Sequence, residues 1–234
     1  MDPSGADAGA TELVLLRHGE TDWNIERRIQ GQLDIALNAE GRRQAQAAAR
    51  RLAAQPQRYR LASARIVSSD LARCRQTAEA IALSTGLPVQ TDARLRERLF
   101  GRFEGRTQAE LRREFPDDYV RWAARDPDHD VAGGESLRHL DARVRAVFAE
   151  LVRTHVGRTL IVVTHGGVLD IVQRMCRGLD LSAPRDFDLP NAGLNRVRWA
   201  AGAFEVLEWA DVSHWRDSLD DVDSGNPVKS DPIP

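Results

Sequence analysis

Two histidines in this sequence stand directly behind short apolar runs. The run LVLL at 13–16 leads into Arg17 and His18, and the run LIVVT at 160–164 ends at His165. Apolar runs of this length are typical of buried strands in a parallel sheet, whose carboxyl ends meet at one edge. We therefore expect both imidazoles to lie close together, at the edge where such sheets bind their ligands.

A third apolar run brings an arginine to the same edge. RIVSSD at 65–70 is followed by Arg73, so the sequence predicts two histidines and two arginines in one place, without an Asp or Cys ligand cluster. This combination favours a phosphoryl site over a metal site, because guanidinium groups bind phosphoryl oxygens through paired hydrogen bonds. A neutral imidazole could attack phosphorus in line and form a phosphohistidine, which divides one difficult displacement into two easier ones.

Phosphoryl transfer of this kind also needs an acid, because the leaving alkoxide must receive a proton. The segment LRE at 95–97 presents Glu97 at the exit of a predicted third strand. Glu104 lies in the same loop and is the alternative proton donor. The pair Gly166 and Gly167, after the second histidine, is further predicted to bring backbone amides at a helix start close to the anion.

Strands and helices alternate along most of the chain. Apolar runs bounded by polar residues predict strands, whereas segments of strong helix formers with capping residues predict helices. The predicted strands lie at 12–17, 65–70, 89–91, 194–200 and 203–209. The predicted helices lie at 38–55, 71–86, 107–127 and 133–157, and the segment at 159–176 is predicted as a strand that runs into a helix. This order predicts an α/β fold, a three-layer α/β/α sandwich with a mostly parallel central sheet and a small helical cap inserted around 105–135.

The composition suits one large α/β domain. The 234 residues include 42% hydrophobic side chains, which is enough to bury a proper core. We expect the domain to span 11–216, after a flexible N-terminus at 1–10 and before an acidic, Pro-containing and disordered tail at 217–234. The two cysteines, Cys74 and Cys176, lack CxxC spacing and are expected to be reduced.

The charge and hydropathy patterns exclude several classes of partner. The net charge of -2 provides no field that would attract nucleic acid or an anionic membrane. No run approaches the roughly 20 apolar residues of a membrane span, and the first ten residues lack the features of a signal peptide. We therefore expect a cytoplasmic protein whose partner is a phosphorylated small molecule, with no nucleic acid and no membrane. Homodimerisation stays open, because a single sequence shows no interface.

Several motifs together resemble one known family. From about residue 12 to 215, the chain resembles the histidine phosphatase superfamily, also called the phosphoglycerate mutase-like family. The motifs that carry the resemblance are RHGETDWN at 17–24, RRIQGQLDIALNAEGRRQA at 27–45, SSDLARCRQTAEAI at 68–81, LRERLFGRFEG at 95–105, GGES at 133–136 and VTHGGV at 163–168. Each motif alone is a much weaker signal, but they occur in order and at sensible spacing.

The resemblance implies a role for each residue of the site. His18 would be the phosphorylated nucleophile, with Arg17 and Arg73 gripping the phosphoryl group. His165 would stabilise the charge on the phosphoryl oxygens, and Glu97 would donate the proton and later help to activate water. The other positions implied to bind substrate are Asn24, Gln30, Gly31 and Gly166. No metal and no cofactor is expected, because arginine and histidine supply the positive charge that magnesium usually provides.

The family contains both phosphatases and mutases, which share this core. The loop at 95–105, with its aromatic-Glu-Gly ending, and the closing DVSHW at 211–215 look like the phosphatase branch, including broad-specificity bacterial phosphatases. The resemblance therefore implies a metal-independent phosphatase of small-molecule phosphomonoesters, of the histidine acid phosphatase type. A phosphoglycerate mutase, which transfers a phosphoryl group between glycerate hydroxyls, is the alternative.

A third hypothesis, from another class, is a phosphate-binding regulator that has lost catalysis. Such a protein would usually lack His18 or Glu97, and this sequence has both. We expect the residues that contact the leaving group at 100–135, a segment that contains arginines and apolar residues. This segment could accept sugar phosphates, glycerate phosphates or nucleotides, and the sequence does not rank them.

Overall fold

A six-stranded sheet forms the centre of the molecule, of which the computed structural model describes residues 9–216. The strands are β1 (Thr11–Arg17), β2 (Ala64–Ser68), β3 (Val89–Thr91), β4 (Thr159–Thr164), β5 (Leu194–Ala200) and β6 (Ala203–Asp211). Their order across the sheet is β3-β2-β4-β1-β5-β6. Strands β1 to β4 are parallel, whereas β5 is antiparallel to its neighbours β1 and β6. The predicted α/β class and mostly parallel sheet are confirmed.

Helices cover both faces of this sheet. The helices are α1 (Asp22–Ile25), α2 (Ala39–Ala54), α3 (Ala72–Thr85), α4 (Gln108–Glu114), α5 (Pro116–Ala123), α6 (Leu137–Thr154), α7 (Gly166–Arg177) and α8 (Ser213–Arg216). Helices α2 and α3 pack against Val14 and Ile161, while α6 and α7 pack against Leu13 and Val162 on the opposite face. Successive strand residues point to opposite faces, so continuous apolar strands build both clusters. The predicted three-layer sandwich is confirmed.

Capping residues account for the ends of the main helices. The side chains of Asn38 and Ser136 each accept a hydrogen bond from the backbone N–H three residues on, which begins α2 and α6. Gly86 ends α3 in the left-handed conformation that glycine adopts easily. The helix predicted at 133–157 therefore starts later than expected, because the two glycines that precede Ser136 form a turn and not a first helical turn.

The segment predicted as one helix at 107–127 forms two helices, and the prediction of a single helix was wrong. Pro116 begins α5, and Phe115 before it has non-helical φ and ψ angles of -140° and 59°. Proline lacks the N–H that would continue α4 and disfavours helical geometry in the residue before it. The predicted helical cap is thus a two-helix unit. Its own small core consists of Phe103, Leu111, Tyr119 and Val131.

Some predicted features lie outside the described residues. These are residues 1–8 of the predicted flexible N-terminus and the predicted tail at 217–234, both of which stay predictions. Among the described helices, none is long and apolar enough to cross a membrane. The two short helices α1 and α8 had no counterpart in the sequence prediction, and both cysteines are free.

The position of Phe148 leads to a stability prediction. Its side chain is fully buried between α6 and the sheet, whereas Leu83 on α3 is 88% exposed. Phe148→Ala should lower the free energy of unfolding by about 3–5 kcal/mol, because it leaves a cavity in the larger cluster. Leu83→Ala, as the control, should change it by less than about 0.5 kcal/mol. Urea unfolding followed by circular dichroism measures both, and equal losses would contradict this core assignment.

Candidate active site

The ends of β1 and β4 bring the two predicted histidines together. The pairing of these strands extends beyond Arg17, since the backbone N–H of His18 donates to the carbonyl oxygen of Thr164 at 2.9 Å. The rings of His18 and His165 have centroids 5.3 Å apart and planes inclined at 61°. Strand pairing therefore sets the distance between the two imidazoles, as the sequence predicted.

His18 is buried and oriented by its own backbone. Its Nδ1 lies 2.8 Å from the carbonyl oxygen of Gly19, which can only accept, so Nδ1 carries the proton. The other ring nitrogen, Nε2, is therefore unprotonated in the neutral ring. Burial, followed by the charges of Arg73 and Arg17, lowers the pKa of His18 well below its usual 6.5. At neutral pH this imidazole is uncharged and has a lone pair on Nε2.

His165 is fully buried at the start of α7. Its Nε2 lies 2.8 Å from the hydroxyl oxygen of Ser69 and 3.3 Å from the sulfur of Cys74, whose thiol donates to the carbonyl oxygen of Thr164. Burial, and then the charge of Arg73, lowers the pKa of His165 well below its usual value. Ser69 and Cys74 orient this ring, and sequence reasoning missed both contacts although Ser69 stands at a predicted strand end.

The two arginines are held by backbone oxygens and not by carboxylates. Arg17 donates from Nη1 to the carbonyl of Leu189 at 2.7 Å, and Arg73 donates to the carbonyls of Leu33 and Gly31 at 2.8 and 2.7 Å. The buried Nε atom of each has no partner within residues 9–216. Burial lowers the pKa of Arg17 to about 10, which leaves it charged at neutral pH. The charge of Glu97 acts on both arginines, but neither forms an ion pair with a described carboxylate, and two such buried cations form a site for an anion.

Glu97 reaches the start of α7 because Gly167 has no side chain. The backbone N–H of Gly167 donates to Oε2 of Glu97 at 3.0 Å, and the N–H of Arg98 donates to Oε1 at 2.8 Å. A Cβ atom at Gly167 would overlap Oε1. The prediction that this amide approaches the bound anion is corrected, since it contacts the carboxylate of Glu97. Gly166 lies beside Arg17 and Glu97 and is not among the residues that line the cavity.

Glu104, the alternative acid, has a structural role. Its Oε1 accepts from the backbone N–H groups of Gln32 and Phe100, both at 3.0 Å. Gly31 adopts a φ of +52°, and a Cβ atom there would overlap the carboxylate of Glu104. Glu104 thus joins two loops, while Glu97 lines the cavity. The geometry favours Glu97 as the proton donor.

Asn24 and Gln30 both line the cavity, as predicted. The carboxamide oxygen of Asn24 accepts from the backbone and hydroxyl of Thr21 at 3.0 Å in a capping box that begins α1. Asn24 is therefore a capping residue with an amide nitrogen left as the donor for a ligand. The buried Oε1 of Gln30 has no partner among the described residues, so its amide is also available.

The cavity above these residues has a volume of about 740 Å³ and extends to the cap. The cap residues that line it are Phe100, Thr107, Gln108, Ala109, Arg112 and Trp122, within the segment expected to contact the leaving group. Trp23 and Ile29 also line it, and neither was predicted from the sequence. Within residues 9–216, no group of three or more His, Cys, Asp or Glu side chains could hold a metal ion.

The two buried imidazoles make stability depend on pH. Because the folded pKa values of His18 and His165 lie below the usual 6.5, the unfolded chain binds more protons, and stability falls as pH drops below about 6.5. The slope approaches about 1.4 kcal/mol per histidine per pH unit. A variant with both histidines changed to Gln should lose most of this slope between about pH 6.5 and 5.5, since the buried His129, whose pKa is also lowered, would still contribute; exposed His139→Gln should keep it. Urea midpoints across this range test it, and an unchanged slope in the double variant would refute the burial argument.

Comparison with known proteins places the chain in a family. Residues 13–212 match the family model described as histidine phosphatase superfamily, branch 1. The phosphoglycerate mutase-like protein 4 of Arabidopsis thaliana is 38% identical over 211 residues, covering 89% of this chain and 88% of that protein. A probable phosphoglycerate mutase of Salmonella paratyphi C is 36% identical over 208 residues, covering 87% of this chain and 94% of that protein.

The fold is also similar to that of solved phosphatases. The mycobacterial glucosyl-3-phosphoglycerate phosphatase has a TM-score of 0.73 and 34% identity, and the match covers 86% of this chain and 99% of that one. That phosphatase has also been solved in complex with inorganic phosphate. The family match spans the strand ends that carry both histidines and both arginines. The protein belongs to the histidine phosphatase superfamily, branch 1.

Proposed function

We propose that this protein is a metal-independent phosphatase that hydrolyses small-molecule phosphomonoesters through a phosphohistidine at His18. One observation carries the proposal: a buried neutral imidazole with an unprotonated Nε2 stands beside two buried guanidinium groups that form no ion pair with a described carboxylate. The imidazole supplies the nucleophile, and Arg17 and Arg73 supply positive charge for the phosphoryl oxygens.

In the first step, Nε2 of His18 attacks phosphorus. The N–P bond forms while the ester P–O bond breaks, and Glu97, in its protonated form, gives its proton to the leaving alkoxide. The Nδ1–H of His18 keeps its hydrogen bond to the carbonyl of Gly19, which stabilises the positive charge that develops on the ring. Arg17 and Arg73 stabilise the equatorial oxygens of the transferring group.

In the second step, water attacks the phosphohistidine. The Glu97 carboxylate takes a proton from this water as the new P–O bond forms, and the N–P bond breaks to restore neutral His18 and release inorganic phosphate. The same carboxylate thus alternates between acid and base, which its position at the edge of the cavity permits. His165 is not among the residues that line the cavity, and it would act beside His18 as a neutral ring and not as a full charge, because burial suppresses its protonation.

The choice of phosphatase rests on the loop at 95–105 and on the similarity to the mycobacterial phosphatase. A phosphoglycerate mutase is the second candidate, because both curated relatives described above have mutase or mutase-like names. The two activities differ in the fate of the phosphohistidine. Water takes the phosphoryl group in a phosphatase, whereas a second glycerate hydroxyl takes it in a mutase.

Phosphate release tests the proposed reaction. With a metal chelator present, the wild-type protein should release phosphate from p-nitrophenyl phosphate and from several phosphometabolites, including 3-phosphoglycerate. His18→Ala should reduce kcat by at least about 1,000-fold, because it removes the nucleophile. Interconversion of phosphoglycerates in the presence of a bisphosphoglycerate primer, without phosphate release, would instead identify a mutase.

The contact between Gly167 and Glu97 gives a second prediction. Gly167→Ala should displace the carboxylate and, like Glu97→Gln, slow the first turnover of an alkyl phosphate by about 100-fold or more. The first turnover of p-nitrophenyl phosphate should slow much less, because its leaving group hardly needs a proton. Rapid-quench kinetics on both esters, with thermal unfolding as a folding control, measures this difference. Equal losses on the two esters would refute the acid role of Glu97.

A further inference from the structure

We propose that the leaving alcohol of the substrate carries a second anionic group, a carboxylate or a phosphate, which binds Arg112 at the cap end of the cavity. The inference rests on the proposed phosphatase function, since it defines the class of ester that the same site accepts. The alcohol would contact the cap through this anionic group while His18 attacks the phosphoryl group at the other end.

The charge of the cavity wall is the first argument. Arg17 and Arg73 lie at the phosphoryl end, where a phosphate dianion matches their charge. Arg28, near the cap, is neutralised by Glu26 at 2.7 Å and by Glu110 at 3.1 Å.

Arg112 differs from Arg28, because no carboxylate of residues 9–216 lies within ion-pair distance of it. Its described hydrogen bond goes to the neutral hydroxyl of Tyr119. The cavity therefore has a cation at the cap end whose charge no described group balances, and a ligand anion would balance it.

The orientation of Arg112 is the second argument. Its Nη2 donates to the hydroxyl oxygen of Tyr119 at 2.8 Å, and its guanidinium carbon lies 4.9 Å from the centre of that ring. Tyr119 is only 9% exposed in the cap core, and its hydroxyl donates in turn to Oε1 of Gln108. An arginine held in this way loses little freedom when it binds an anion. Contacts of this kind orient a guanidinium group for a ligand without neutralising its charge.

The neighbouring arginine provides a contrast on the same helix. Arg113 pairs with Glu114 at 2.9 Å, its side chain is 73% exposed, and it is not among the residues that line the cavity. Both arginines of helix α4 are exposed to solvent, but only Arg112 lines the cavity. Arg113 serves as a matched control of the same residue type, one position away.

The size and the lining of the cavity indicate what kind of leaving alcohol it accepts. A volume of about 740 Å³ lies within the range of sites for ligands of roughly drug size and far exceeds the space that a phosphate group needs. The wall also includes the aromatic rings of Trp23, Phe100 and Trp122. These rings favour an apolar or flat middle section in the leaving alcohol. The expected substrate is thus a phosphomonoester with an apolar or planar middle and an anionic far end.

Three aryl esters test this class directly: phenyl phosphate, 4-carboxyphenyl phosphate and 1,4-phenylene bisphosphate. The wild-type kcat/KM should be about five- to tenfold higher for at least one anionic ester than for phenyl phosphate, chiefly through a lower KM. The ester that shows the preference tells whether the site selects carboxylate or phosphate. Arg112→Gln should abolish this preference, Arg112→Lys should restore part of it, and Arg113→Gln should retain it in full.

The outcomes separate this inference from the proposed function. Hydrolysis of phenyl phosphate by the wild type without preference for either anionic ester would overturn the inference and leave the phosphatase proposal standing. An equal loss of kcat/KM on all three esters in Arg112→Gln would also overturn it. The same holds if Arg112→Gln leaves the KM for the preferred anionic ester unchanged from the wild type. If the wild type hydrolyses none of the three esters, the phosphatase proposal fails and the inference fails with it.

Discussion

The site depends on positive charge that is buried and oriented without forming an ion pair with a described carboxylate. Carbonyl oxygens of Leu189, Leu33 and Gly31 hold the guanidinium groups of Arg17 and Arg73 in place. Because a carbonyl accepts hydrogen bonds but carries no net charge, both cations keep their attraction for an anion. The same charges, together with burial, keep the neighbouring imidazoles neutral. One constraint thus produces both the anion site and the uncharged nucleophile.

The scaffold makes this arrangement possible through strand pairing. Parallel pairing of β1 with β4 places Arg17 opposite Thr164, so the residues that follow each strand emerge side by side. The two apolar clusters on the faces of the sheet supply the stability that a site with buried charge does not. Gly167 then allows the Glu97 carboxylate to approach the same edge from a separate loop. The positions of the site residues therefore depend on a few backbone features of the fold, namely the pairing of β1 with β4 and the glycine at 167.

The sequence predicted which histidines and arginines lie together at the strand ends, because apolar runs mark buried strands and parallel strands end at one edge. It named Glu97 as the acid and left Glu104, in the same loop, as the alternative, since the distinction depends on the turn at Gly31 and on amides from another segment. Trp23 was not predicted to line the site, because its short helix shows no helical repeat of apolar residues. Pro116 was a signal in the sequence that the cap contains two helices. The prediction of one helix gave more weight to the helical spacing of the apolar residues. That Arg112 and not Arg113 lines the cavity could not be predicted, because the contact that orients Arg112 comes from Tyr119 in the next helix.

The central claim is that His18 carries the phosphoryl group between two displacements. The most direct test is to mix the protein with a phosphate-labelled ester, quench within the first turnover under alkaline conditions, and map the label by mass spectrometry. We expect an acid-labile, base-stable phosphohistidine on the peptide that contains His18, and no such label in His18→Ala. Turnover without a labelled protein, or a label on His165, would contradict it.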